Sequence, residues 1–147
     1  MNGDRGFTLV ELIIAIAVTG LIVGVLGTAT FQIVNVTDYG RNKLVAAHEL
    51  QNVAHWVGRD VQMADNATGG NELALTLSDN SSITYTVNST ALLRTAGGSP
   101  MTLAQNVTGA NFSVENRMVT MTITSSPAGR WNVTEQGTYQ VHLRPTQ

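Results

Sequence analysis

The hydrophobic pattern divides the chain at about residue 34. Residues 7–34 are almost entirely apolar, and the stretch from Leu12 to Leu26 contains no charged residue. This length suits a membrane-spanning helix, which needs about 20 mostly apolar residues. The charged region before it is very short and no small-residue cleavage site follows it, so a conventional secretory signal is disfavoured. The pattern predicts a transmembrane helix over residues 7–34 that stays with the mature protein.

After residue 34 the chain becomes polar, but a helical period continues. The apolar positions share one face: Ala46, Ala47, Leu50, Val53, Ala54, Val57, Val61 and Ala64. The opposite face is polar (His48, Gln51, His55, Arg59, Gln62), and Val45, Trp56 and Met63 form a small apolar flank. This pattern is typical of a helix that lies on a sheet. It predicts an amphipathic continuation over residues 35–68, with the helix ending near Ala64 and a loop opening at Asp65.

Alternating apolar positions then predict an antiparallel β-sheet over residues 69–147. Residues 73–77 and 83–87 indicate a hairpin, as do residues 112–114 and 119–123. A brief strand over residues 92–94 precedes a loop at residues 97–100, and residues 139–143 form the last strand. One long helix followed only by antiparallel strands is an α+β domain.

Length, charge and composition exclude several classes of protein. The chain has 147 residues, enough for one domain, and a net charge of -2 with no basic patch that would bind nucleic acid. It has no cysteine, so it has no disulfides and no thiolate chemistry. We found no nucleophile motif, P-loop or paired carboxylates, so we expect no enzymatic activity.

We expect no cofactor and no metal. His48 and His55 share a helix face but lie seven residues apart, which is about 10 Å along a helix and too far for one metal ion. Asp79 and Asn80 offer oxygen ligands, but they are not part of a dense acidic loop of the kind that binds calcium.

Glu11 is the anomaly of the apolar segment. A carboxylate in hydrocarbon costs several kcal/mol unless it is protonated, paired or near the interface. A stripe of small residues in the same segment indicates a helix-packing face: Ala17, Gly20, Gly24, Gly27 and Thr28.

The stretch from Gly6 to Glu11, which reads GFTLVE, resembles the prepilin signature of type IV pilins and type II secretion pseudopilins. The resemblance implies that residues 1–6 are a leader removed by a prepilin peptidase after Gly6, on the cytoplasmic side. The new amine of Phe7 would be N-methylated, and the domain beyond the membrane would lie outside. Glu11 would meet the terminal amine of a neighbouring subunit in a filament, and Gly20 lies in a region that can loosen on assembly.

The rest of the chain resembles minor subunits of these systems. Residues 48–65, 83–94, 103–114 and 139–145 are similar to the J component of type II secretion and to W-type minor pilins. Thr28 stands where many major pilins have a proline, which favours a minor subunit. The partners implied are other pilin or pseudopilin subunits, the prepilin peptidase, an inner-membrane assembly platform and membrane lipid, but no nucleic acid.

Two alternatives stay open. The chain can instead be a single-pass anchored binding domain that does not polymerise, or, as a more distant third, a membrane enzyme.

Seven positions begin an Asn-x-Ser/Thr sequon: Asn35, Asn66, Asn80, Asn88, Asn106, Asn111 and Asn132. These indicate either surface glycosylation or only an exported sheet surface rich in Asn and Thr.

Overall fold

The computed structural model describes residues 7–145 of the chain. Within that range it contains helix α1 (Leu9–Met63) followed by eight antiparallel strands. The strands are β1 (Ala64–Thr68), β2 (Glu72–Leu77), β3 (Ser82–Asn88), β4 (Ala91–Ala96), β5 (Ser99–Ala104), β6 (Val107–Glu115), β7 (Met118–Ser125) and β8 (Glu135–His142). The α+β class and the long amino-terminal helix are therefore confirmed. The chain forms two units, one up to Asp38 and one from Tyr39 onward.

The first unit is the apolar part of α1. All side chains from Phe7 to Val34 are exposed, although most of them are large and apolar. Three threonine hydroxyls on α1 donate to the carbonyl four residues earlier, Thr19 to Ala15, Thr30 to Leu26 and Thr37 to Ile33. Because these polar groups are satisfied within the helix, they suit a hydrocarbon environment. By length and composition, α1 is apolar enough to cross a membrane.

The second unit packs the later part of α1 on the strands. The predicted helix face is confirmed at Ala46, Leu50, Val53, Val57 and Val61, which are all buried. They join a core formed by inward-facing strand residues, of which the largest are Tyr85, Phe112, Leu73, Leu75, Leu92, Met121 and Ile123. Burial of a Val or Leu side chain contributes about 1.5–3 kcal/mol, so this face is the main apolar attachment of the helix.

The strands form two hydrogen-bonded parts, with orders β1-β2-β3-β4-β5 and β6-β7-β8. The two predicted hairpins are confirmed as β2–β3 and β6–β7. The β6–β7 turn has Asn116 and Arg117 at φ 50° and 62°. Two consecutive left-handed residues produce the turn that matches the twist of a hairpin, and Asn tolerates that conformation well.

Gly69 and Gly70 connect the two parts of the sheet. The Gly70 amide donates to the Phe112 carbonyl of β6 at 2.8 Å. Gly69 lies so close to the same strand that an added methyl carbon would come within 2.6 Å of the Phe112 carbonyl oxygen. Only glycine allows this approach of backbone to backbone.

The helix ends within one residue of its predicted end near Ala64, but the segment predicted to extend to residue 68 does not continue as helix or open as a loop at Asp65. The helix stops at Met63, and residues 64–68 form β1, which pairs with β2 through a register irregularity between Ala64 and Asn66. Asp, Asn and Thr have weak helix propensity, so the backbone hydrogen bonds offered by β2 outweigh continued helix. Ala64 and Ala67 face the core.

The loop predicted at residues 97–100 is confirmed at Gly97 and Gly98, but Ser99 and Pro100 belong to a strand. Gly97 and Gly98, at φ 57° and 80°, form a two-residue turn between β4 and β5. Proline is tolerated in an edge strand, where its missing amide need not pair. Pro100 lies in β5, which is the edge of the five-stranded part.

Gly69→Ala should destabilise the second unit by about 1–3 kcal/mol, because the methyl group must push β6 away. The measurement is urea unfolding of the full chain in detergent micelles, followed by tryptophan fluorescence. Gly58→Ala on α1 is the matched control, since nothing lies within 4 Å of its added methyl group. The control should gain about 1 kcal/mol from helix propensity. A Gly69→Ala protein as stable as the Gly58→Ala protein would contradict the described contact.

Candidate functional site

The residues of the predicted processing site lie at the start of α1. Gly6 lies outside the described residues. Phe7 is 80% exposed and Glu11 is exposed one turn later. The chemistry of this segment is therefore freely accessible in the isolated chain.

Thr8 and Glu11 cap the amino terminus of α1. The Thr8 amide and hydroxyl each lie 3.4 Å from Glu11 Oε2, and the Glu11 amide donates to Thr8 Oγ1 at 3.3 Å. A Thr followed three residues later by Glu is the capping-box sequence, in which each side chain satisfies a backbone amide of the other residue. Glu11 therefore has a local structural role in addition to the role implied by the resemblance.

Gly20 lies nine residues after Glu11, about 13.5 Å farther along the helix, so the structure does not bring the two together. Nothing lies within 4 Å of the position of an added methyl group at Gly20, Gly24 or Gly27. This surface is open in the isolated chain.

A second group of polar side chains lies in the sheet unit, where Asp60 of α1 is fully buried. Its Oδ2 accepts from the Tyr85 hydroxyl of β3 and from Arg94 Nε of β4, both at 2.6 Å. Its Oδ1 lies 3.4 Å from the Arg59 guanidinium. A buried carboxylate is tolerated only when it is paired and hydrogen-bonded, and Asp60 meets this condition through two neighbouring strands.

Trp56 completes this group. The Arg59 and Arg94 guanidinium carbons lie 4.2 Å and 5.0 Å from the centre of the Trp56 ring. Both distances allow a cation–π attraction. The Asp60 carboxylate also stabilises the charged form of Arg94 through their hydrogen bond, which raises the pKa of Arg94.

Glu49 makes a second polar connection from α1. Glu49 Oε1 accepts from Asn106 Nδ2 at 2.7 Å and from the Gln105 amide at 3.0 Å, and its Oε2 accepts from Ser125 Oγ at 2.7 Å. These partners lie between β5 and β6 and at the end of β7. Asp60 therefore links the helix by hydrogen bonds to the five-stranded part. Glu49 links it by hydrogen bonds to the junction with the three-stranded part.

The residues considered for metal binding are not brought together. Among residues 7–145, no three His, Asp or Glu side chains are grouped so that they could hold a metal ion. His48 and His55 are exposed. Asp79 accepts from the Ser81 hydroxyl at 2.6 Å and the Ser81 amide at 2.9 Å, and these bonds lower the pKa of Asp79. This carboxylate shapes the β2–β3 turn.

Sequence analysis missed Asp60 and Glu49. Asp60 follows Val53 by seven residues and Val57 by three, which places it on the buried helix face. That spacing was the available signal for a buried, paired acid. Arg59 lies on the predicted solvated face and its side chain is 47% exposed, but it also contacts Trp56 and Asp60.

Tyr85→Phe should change the alkaline stability of the sheet unit. Burial, and then the hydrogen bond to Asp60, raise the pKa of Tyr85 well above its ordinary value of 10.0. The unfolded chain loses this proton near pH 10 while the folded chain keeps it, so the stabilisation is complete below pH 10 and is lost as the pH rises further. Tyr85→Phe should weaken this alkaline loss, although it costs about 1–3 kcal/mol near neutral pH.

The measurement is the free energy of urea unfolding as a function of pH. Tyr139→Phe is the matched control for loss of a tyrosine hydroxyl outside the Asp60 cluster. Identical alkaline slopes for wild type and Tyr85→Phe would show that the Tyr85 proton is not held in the folded state.

Comparison with known proteins bears on the amino-terminal segment. Residues 1–27 match the family described as the prokaryotic N-terminal methylation motif. Neither the curated proteins nor the solved structures that were compared gave a match to the chain. The match includes Gly6, Phe7, Glu11 and Gly20. The chain therefore carries a prepilin-type methylation motif at the start of a helix apolar enough to span a membrane.

Proposed function

We propose that this protein is a structural minor pilin or pseudopilin, a non-enzymatic subunit of a type IV pilus or of a type II secretion pseudopilus. The observation that carries the proposal is the methylation motif over residues 1–27, which runs directly into an exposed apolar helix. A simple membrane anchor has no need of Gly6 before Phe7, or of Glu11 within the apolar segment.

The proposed pathway begins in the cytoplasmic membrane. The amino terminus lies inside, α1 crosses the membrane once, and the sheet unit lies outside. A prepilin peptidase removes residues 1–6 and the new amine of Phe7 is methylated. An inner-membrane assembly platform then moves the subunit from lipid into a filament of other pilin or pseudopilin subunits.

Glu11 gives this pathway a physical basis for subunit selection. Asp60 and Glu135 each pair with a cationic side chain, whereas Glu11 makes hydrogen bonds of 3.3–3.4 Å within its capping box. Those bonds leave its charge without a compensating cation among the described residues. In a packed filament core, the Phe7 amine of a neighbour would supply that cation, since a buried charge is tolerated when it is paired.

The minor-subunit assignment itself rests on the resemblance of segments in the sheet unit to J-type and W-type subunits. The sequence segments that resemble J-type and W-type subunits include Trp56, Asp60, Tyr85 and Arg94, which form one cluster. These contacts fix the later part of α1 on the sheet, so the unit presents a defined surface to its neighbours. The assignment to secretion, adhesion, motility or DNA uptake depends on those neighbours.

Gly6→Leu should block leader removal, because a side chain at the residue before the cut obstructs a peptidase that accepts glycine there. The precursor should accumulate in the membrane and migrate more slowly in an immunoblot than the mature form. Asp4→Asn, which also lies in the leader, is the control and should be processed normally. Normal processing of Gly6→Leu would contradict cleavage at this site.

Glu11→Gln should abolish incorporation into filaments while leaving membrane insertion and processing intact. Glutamine keeps the size of the side chain and can still form a capping box, so only the charge is lost. Thr8→Val is the matched control, because it removes the capping hydroxyl and keeps the Glu11 charge. Thr8→Val should therefore still assemble.

The measurement is recovery of tagged subunits with filaments sheared from the cell surface, or with partner minor subunits. Recovery of Glu11→Gln at the wild-type level would show that pairing by Glu11 does not select subunits. Failure of the wild-type chain to co-purify with any filament would favour an anchored domain that does not polymerise.

A further inference from the structure

The loop between β7 and β8, residues 126–134, is closed at its base and exposes a tryptophan at its tip. Pro127 and Val133 are buried. Ser126 Oγ donates to the Val133 carbonyl at 3.0 Å and lies 3.2 Å from Thr134 Oγ1. Between these anchors the Trp131 side chain is 43% exposed. The Val133 amide also donates to the Trp131 carbonyl at 2.7 Å, which makes a tight turn at this residue.

This loop lies at the end of the sheet unit where the chain enters from the apolar helix. The unit begins at Tyr39. Gly129 lies directly against Asn42, since an added methyl carbon would collide with Asn42 Nδ2. Just after the loop, Glu135 Oε1 lies 3.5 Å from Lys43 Nζ. Asn42 and Lys43 of α1, near the start of the unit, therefore contact the loop and the residue that follows it.

The entry end of the unit is close to the apolar segment along the chain. Only four residues lie between Val34 and Tyr39, so the two are at most about 18 Å apart even when the chain is fully extended. Tyr39 is 48% exposed. Trp and Tyr favour the boundary between membrane and water, because each combines a large apolar ring with a polar group. An exposed Trp on a closed loop at this end of the unit has the chemistry of an interfacial anchor.

We propose that the β7–β8 loop is a membrane-contact site in which Trp131 inserts into the headgroup region of the bilayer. The proposal rests on the proposed membrane anchoring by α1. Within this unit the Lys43 charge is paired with Glu135. We therefore assign the contact to the aromatic ring, for which neutral phosphatidylcholine is a sufficient partner.

The two tryptophans of the chain make a direct test. The full chain is reconstituted in phosphatidylcholine nanodiscs, with or without lipids that carry bromine near the headgroup end of the acyl chain. In Trp56→Phe only Trp131 emits, and in Trp131→Phe only Trp56 emits. Trp131 should lose most of its emission to brominated lipid and be shielded from aqueous iodide. Trp56, at the helix–sheet cluster, should keep its emission in brominated lipid.

The wild-type protein is the control for distortion caused by Trp56→Phe. The emission of Trp131→Phe is subtracted from that of the wild type, and the remaining Trp131 emission must be quenched to the same extent as in Trp56→Phe. Flotation of the same variants with phosphatidylcholine vesicles separates the two claims. A chain that does not float would overturn both the anchor and the loop contact. A chain that floats while Trp131 is quenched by iodide and not by brominated lipid would overturn the loop contact alone. Shielding of Trp131 that disappears when the protein is diluted in lipid would assign this surface to a second copy, and would also overturn the lipid contact.

Discussion

The attachment of α1 to the strands depends on the buried Asp60 carboxylate and its partners. A helix held only by Val53, Val57 and Val61 could slide along an apolar sheet surface at modest cost. The bonds from Tyr85 and Arg94 fix both its position and its rotation, because removal of the charged partner Arg94 from the buried carboxylate would cost about 3–5 kcal/mol. Asp60 thus determines which helix surface faces the sheet and which surface stays free.

The same helix has two kinds of surface along its length. Up to Val34 it is apolar on all sides and its side chains are exposed, whereas from Ala46 onward it is apolar on one face only. A helix that is hydrophobic all round suits lipid or a protein core, and a one-sided helix suits a sheet. This division fits the proposed filament subunit, in which the first unit would move from lipid into contact with other helices while the second unit keeps one folded structure.

Much of the fold could be predicted because the relevant signals are local. The transmembrane segment appears as a continuous apolar run, the helix from Ala46 as a helical period, and the two hairpins as alternating apolar positions. Strand β1 could not be predicted, because residues 64–68 become a strand only through pairing with β2. Strand β5 could not be predicted, because Pro100 beside Gly97 and Gly98 indicates a loop, and the strand accepts this proline at the edge of the sheet. The site residues near Gly6 were predicted from a motif, while the Asp60 cluster depends on contacts between distant residues and could be suspected only from the spacing of Asp60.

The central claim is that this chain is a processed pilin-type subunit, and its most direct test is the chemical state of the amino terminus. Mass spectrometry of the wild-type protein, isolated from the membrane or from sheared filaments of the source cells, identifies the first residue and its modification. The account predicts a chain that begins at Phe7 with a methylated amine. A mature chain that begins at any other residue, or one that retains Met1 to Gly6, would contradict it.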